Sequence, residues 1–151
     1  MATTAPLRSL DEAQRWLSAL VAAPHPRAIG ASPLPSVLDH LAQSVEMSMD
    51  GYPQPRSVVF QRTAGRLAFS VFKLRGRMRH SLSAPIPGAP PLLGEDALAP
   101  ATMRLRVAIA RFEQHQGPLQ PHFAYGPLDK ADYTQAHLLH IADHQQEIVT
   151  D

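Results

Sequence analysis

Cysteine is absent from the 151 residues. That excludes a thiol nucleophile, a disulfide framework and any zinc site built with thiolates. A transition metal would have to be held by nitrogen and oxygen ligands. Net charge is also nearly absent: 14 Lys and Arg against 13 Asp and Glu leave +1, with a pI near 8.3. This balance gives no general pull toward nucleic acid or anionic lipid, and neither is an expected partner. There is no apolar run of about 18 residues to cross a bilayer. Met1–Ser9 lacks the apolar core of a signal peptide, so a cytoplasmic protein is the expectation. The chain also has no Gly-rich phosphate loop, no Gly-x-Ser-x-Gly elbow and no His-Glu-x-x-His.

What is present begins with an ordinary 44% hydrophobic content, enough for a single domain over residues 1–151. Ser9-Leu-Asp-Glu12 reads as a capping box, with Ser9 accepting from the Glu12 amide and the Glu12 side chain reaching back. Leu10, Ala13, Trp16, Leu17 and Leu20 then recur at helical spacing until Pro24. A second helix is predicted from about Pro35 to Asp50, with Ser44 and Ser48 set in its apolar stripe and His40 at the stripe's edge. Those serines imply close helix packing or a polar patch in the core. Arg56 to Leu74 has some strand-like composition, but Phe60, Ala64, Leu67, Val71 and Leu74 keep a 3–4 spacing. The favoured reading there is a helix with a soft point at Gly65, its basic C-terminal end (Lys73 to Arg79) matched to the helix dipole.

Ser81 to Pro100 is dominated by proline and glycine and reads as a long loop. A further helix has Pro100 in its first turn, carries Leu105, Ile109 and Phe112, and stops before Gly117-Pro118. Asp129 is the expected N-cap of the last helix. The fold class is therefore all-α: a helical bundle with an additional helix and long Pro-rich loops.

The last helix carries the most informative feature, His137-Leu-Leu-His140-Ile-Ala-Asp-His144. At about 100° per residue the three imidazoles lie within about 60° of one another. Tyr133, Ile141 and Ile148 share that face, so it should turn inward. Neutral imidazole is the commonest protein metal ligand, and an i, i+4 pair puts two ring nitrogens within reach of one ion. His140 and His144 form that pair, and His40 is the only histidine centrally placed on another helix. Three imidazoles with an open position form a catalytic type of site rather than a closed structural one. A simpler reading makes each a core histidine satisfied by one hydrogen bond.

His115 is expected in a helix's last turn, and His25, between two prolines, in solvent. His80 and His122 lie in loops that can fold over a site, although a surface position without a role is the simpler reading of each. Tyr125 and Tyr133 can hydrogen-bond a bound water or substrate, with a core position the simpler reading of Tyr133. Prolines stiffen both long loops, which makes His122 and Tyr125 candidates to line a pocket and assist an ion from beside it.

His40 through Pro53, the block Gly65 to Pro90, and Gly117 to Gly126 followed by the histidine helix together resemble an uncharacterised branch of the DinB-like superfamily. The resemblance spans most of the chain. It implies a four-helix bundle binding a divalent metal through His40, His140 and His144, with His137 a neighbour one turn away that also stands as an alternative to His140. Its further implications are a thiol-dependent transferase or isomerase using a low-molecular-weight thiol, a small-molecule substrate and a homodimer. Many relatives follow the last ligand with Arg-Gly-Gln, where this chain has Gln145-Gln-Glu147. Zinc, nickel, iron and manganese all suit such a site. A metal-dependent hydrolase and a non-catalytic helical interaction protein are the alternatives.

Overall fold

The computed structural model describes residues 6–151. The first five residues of the segment read for a signal peptide lie outside the described residues. In chain order the elements are α1 (Leu10–Ala22), β1 (Arg27–Ala28), α2 (Leu34–Asp50), α3 (Val58–Phe60), a π-helical segment (Gln61–Gly65), α4 (Arg66–Arg75), α5 (Leu98–Gln114), α6 (Lys130–Gln145) and β2 (Ile148–Val149). The chain is thus mainly α. Among the described residues, no helix is long and apolar enough to cross a membrane.

Helix α1 starts as its capping residue dictates, with Ser9 Oγ accepting from the Glu12 amide at 3.1 Å. The reciprocal bond differs from expectation, because the Glu12 carboxylate takes the Arg8 amide at 2.7 Å. Leu10, Ala13, Leu17 and Leu20 are buried, as their spacing requires. The most extensive helix pairing is between α2 and α5, with α1 and α6 packed around it. Arg104 of α5 fastens that pair, bonding Asp39 and Glu46 of α2 at 2.7 Å each.

The all-α expectation needs one correction. β1 and β2 form a two-stranded antiparallel sheet, Arg27 opposite Val149 and Ala28 opposite Ile148. Two residues per strand are too few to leave a period-2 pattern in the sequence. Ile148, read as part of the histidine helix face, is in β2 because α6 ends at Gln145. The sheet matters to the site, since the Ile29 amide bonds the Glu147 carbonyl at 2.7 Å and fixes the turn after α6.

Residues 58–75 are helical throughout, and the soft point falls in the π-helical segment that ends at Gly65. The extra residue per turn there opens the helix backbone. A Cβ on Gly65 would stand 1.8 Å from the Ala124 carbonyl oxygen. Glycine is what allows the 120s loop to pack there. Gln61 in the same segment donates to the Arg56 carbonyl at 2.9 Å, and the Arg56 amide donates to the Phe123 carbonyl at 2.8 Å.

Residues 77–97 contain only turns and irregular backbone. A polar stripe on α2 holds their far end in place. Ser36 Oγ donates to the Leu93 carbonyl at 2.6 Å, the Leu93 amide donates to Asp39 Oδ2 at 3.0 Å, and Gln43 Nε2 donates to the Pro90 carbonyl at 3.0 Å. Ser36, Asp39 and Gln43 are spaced i, i+3 and i+7, so they line one side of the helix. His40 is adjacent to that stripe. The loop therefore passes over the end of α2 that carries His40.

Candidate metal centre

Helices α2 and α6 run side by side and bring His40 against His140 and His144. The Nε2 atoms of His40 and His140 are 3.1 Å apart. Two nitrogens at about 2.0–2.1 Å from one ion are separated by about 2.9–3.4 Å, so this spacing suits a shared cation. His80 completes the group. One ring nitrogen from each of His40, His80, His140 and His144 lies within 4.8 Å of the others.

Ring centroids are 5.0 Å apart for His40–His140 and His40–His144, and 4.9 Å for His140–His144. They are 4.9 Å apart for His80–His140 and 5.1 Å for His80–His144. Four imidazoles around a tetrahedral ion would place their centroids about 5 Å apart along all six edges. The His40–His80 edge has no ring contact among the described residues. His40, His80 and His140 all line a cavity of about 280 Å³. The cluster is thus open on its cavity side and closed on the His144 side.

Each of two histidines has its other ring nitrogen held by a carboxylate. His144 Nδ1 donates to Glu147 Oε1 at 2.8 Å, and His80 Nδ1 donates to Asp143 Oδ2 at 2.5 Å. These bonds put the proton on Nδ1 and leave Nε2 as an acceptor facing the cluster. His144 Nε2 is buried and has no hydrogen-bond partner among the described residues. A buried imidazole nitrogen without a partner costs about 1–3 kcal/mol, and a bound cation would satisfy it. The donor set is nitrogen only, which suits a borderline transition metal such as zinc or nickel better than magnesium or calcium.

The Glu147 carboxylate is seated against Gly30, where a Cβ would fall 2.1 Å from Glu147 Oε2. Burial raises the Glu147 pKa from its ordinary value. Burial, followed by repulsion from His144 and His80, lowers the His40 pKa to about 4. The same causes, burial first and then His80, take His144 to about 4, and His140 falls well below the ordinary histidine value. The three helix histidines are therefore neutral at pH 7, the form that ligates.

His137 stands outside the group of four. Its Nε2 is 3.1 Å from Ser48 Oγ, and its ring packs against Phe112 and Tyr133. The Ser48 hydroxyl donates to the Val45 carbonyl at 2.6 Å, so His137 Nε2 is the donor between the two. The serines of α2 thus form a polar patch, with Ser44 at the cavity wall. Tyr133 is a core residue whose hydroxyl donates to the Gln120 carbonyl. His122 and Tyr125 both line the cavity, stacked with centroids 4.1 Å apart. His115 is the C-cap of α5 rather than part of its last turn, and its Nε2 donates to the Pro118 carbonyl at 3.2 Å. His25 is exposed.

The simpler sequence reading of His80 is a surface position without a role; the structure keeps it exposed and brings its ring into the group of four. His80 lies four residues past the Gly76 C-cap in irregular chain, where no periodicity indicates its direction. Asp143 and Glu147 were also missed. Their signal was present: carboxylates one residue before and three residues after His144.

The comparisons add a family but no activity. Comparison with curated proteins and with solved structures finds no match. The family model described as "Protein of unknown function (DUF1569)" matches residues 5–151, and the chain therefore belongs to that family.

Proposed function

We propose that the protein is a divalent-metal-dependent enzyme on a DinB-like four-helix bundle, with His40, His140 and His144 as the helix-borne ligands and His80 as a fourth imidazole from the loop. One observation carries this reading: four imidazoles from three separate segments converge, and the most buried of them presents an unpartnered Nε2. A group of core histidines would instead each pair with protein, as His137 does with Ser48.

When bound, the ion would act as a Lewis acid that lowers the pKa of a water or thiol nucleophile. The chain's own residues set the stage for that chemistry. Glu147 and Asp143 fix the tautomers and ring orientations of His144 and His80. Tyr125, with its pKa raised by burial to about 12, keeps its proton at neutral pH and offers a hydroxyl at the cavity wall. The apolar wall around Met78 and Ile86 excludes water from the reacting groups. The family resemblance supports a thiol-dependent transfer or isomerisation as the reaction.

A metal-assisted hydrolase is the second reading, and one arrangement favours it. His80 is partly exposed, and its Nδ1 is held by buried Asp143. That pairing prepares Nε2 to take a proton from water. Adding a low-molecular-weight thiol during turnover separates the two, because only the transferase needs it. The primary test is metal analysis of protein purified without a histidine tag and without chelator. About one ion per chain is expected. A stoichiometry far below one supports the interaction-protein alternative instead.

A further inference from the structure

We propose that the cavity beside the histidine cluster binds a small uncharged molecule through a carbonyl or hydroxyl oxygen that accepts a hydrogen bond from His122 Nε2. This goes beyond the metal-enzyme reading by naming the class of ligand that the ion-free cavity takes. The binding it describes does not require the ion.

The argument begins with the tautomer. The backbone amides of Ala124 and Tyr125 each approach His122 Nδ1 at 3.1 Å. A backbone N–H can only donate, so Nδ1 is an acceptor and the ring proton resides on Nε2. The ring cannot turn to reverse this. It is stacked on Tyr125 at an interplanar angle of 7° and on Phe123 with centroids 4.7 Å apart, and Tyr52 lies 5.2 Å away. Among the described residues nothing accepts from Nε2, and His122 is part of the cavity wall. The result is a fixed donor facing the cavity.

The rest of the wall sets the ligand's character. Met78, Ile86, Pro87 and Phe123 supply apolar surface. The polar groups are hydroxyls and imidazoles, and among the described residues no Lys, Arg, Asp or Glu lines the cavity. In the ion-free cavity an ionised ligand would lose hydration without a counter-charge, at a cost of several kcal/mol. The volume of about 280 Å³ falls just under the roughly 300 Å³ at which drug-sized sites begin. A neutral molecule of modest size with one acceptor oxygen meets all three conditions. A peptide-like thiol would have to keep its charged ends outside this cavity.

The test uses the full chain after chelation, with its fold checked by circular dichroism. Long-range ¹⁵N spectra of histidine-labelled protein should show His122 as the Nε2–H tautomer. NMR titration with cyclohexanone, cyclohexylammonium and cyclohexanecarboxylate should show the ketone binding at least about tenfold more tightly than either ion, given the desolvation cost. His122→Phe removes the donor and should weaken ketone binding about three- to tenfold, the worth of one neutral hydrogen bond. His122→Asn should weaken it equally, while its side-chain oxygen remains available to the two loop amides. An Nδ1–H tautomer, ions binding as well as the ketone, no ketone binding by the folded chain, or unchanged ketone affinity in both variants would overturn the proposal. Because all arms are metal-free, a negative metal analysis leaves their outcome readable.

Discussion

Two groups of histidines lie side by side in this molecule, and they differ in what holds the second ring nitrogen. His80 and His144 are backed by Asp143 and Glu147. His122 is backed by two loop amides, and His137 bonds a serine hydroxyl. A carboxylate partner enriches the ring and aims a basic nitrogen outward, which is what a metal ligand or a proton acceptor needs. An amide partner does the reverse, fixing the basic nitrogen and turning the N–H outward. The same side chain is thus a ligand on one side of the cavity and a hydrogen-bond donor on the other. Its role is assigned by its neighbours.

Acid should produce the largest effect and tests both groups at once. In the folded chain His40 and His144 have pKa values of about 4, and His122 and His137 about 3. His140 is depressed as well. Unfolded histidine titrates near 6.5, so below that pH the unfolded chain binds more protons and stability falls as pH falls. At pH 5.5 the five groups together cost on the order of 5–7 kcal/mol, comparable with the whole stability of a domain. Metal-free protein should therefore unfold between pH 6.5 and 4. Saturating zinc should move that midpoint to lower pH without abolishing the transition, because His122 and His137 titrate either way. Circular dichroism against pH, with and without zinc, checks both statements.

Chelation comes next. An ion bound only by the folded state at a thousandfold excess over its Kd stabilises by about 4 kcal/mol. For a chain of this length that corresponds to roughly 8–16 °C in Tm. Calorimetry of the metal-loaded wild type should show this loss on adding chelator, whereas His144→Ala should be nearly insensitive. Equal losses in both proteins would contradict the assignment of His144.

The two groups were not equally legible in the sequence. Helix periodicity, the Ser9 and Asp129 caps and the i, i+4 spacing of His140 and His144 are local signals, and the helices follow them. The placement of His40 beside them could be argued because a bundle faces its helices inward. Nothing comparable applied to His80. It is held by its bond to Asp143, 63 residues away in sequence, and bonds between distant residues leave no periodic trace. The soft point at Gly65 was readable, but its purpose was not, because the Ala124 carbonyl it accommodates is 59 residues away in sequence.

That accommodation supplies a test confined to the loop side. Gly65→Ala drives a methyl group into the Ala124 carbonyl, and the loop must move. Overpacking of this kind costs about 1–3 kcal/mol. The shift should disturb His122 and Tyr125 in NMR spectra while metal content stays at the wild-type level. Loss of metal would mean that the two sides are not independent.

The smallest effect addresses the carboxylate backing itself. Glu147→Gln keeps the side-chain shape but weakens the acceptor opposite His144 Nδ1. Gly30→Ala approaches the same bond from the other side, since the added Cβ would fall 2.1 Å from Glu147 Oε2 and displace the carboxylate. Removing such a partner typically weakens metal affinity 10- to 100-fold, equivalent to about 1.4–2.7 kcal/mol. Both variants should fall in that range in a competition titration with a chromogenic chelator. Ser48→Ala, which removes the partner of His137, should leave affinity at wild type and cost only about 1 kcal/mol of stability. The contrast depends on the partner alone, because all three substitutions lie outside the group of four imidazoles. If Ser48→Ala lowered metal affinity as much as Glu147→Gln, His137 would have to be counted among the ligands, and the division between carboxylate-backed histidines and the others would lose its meaning.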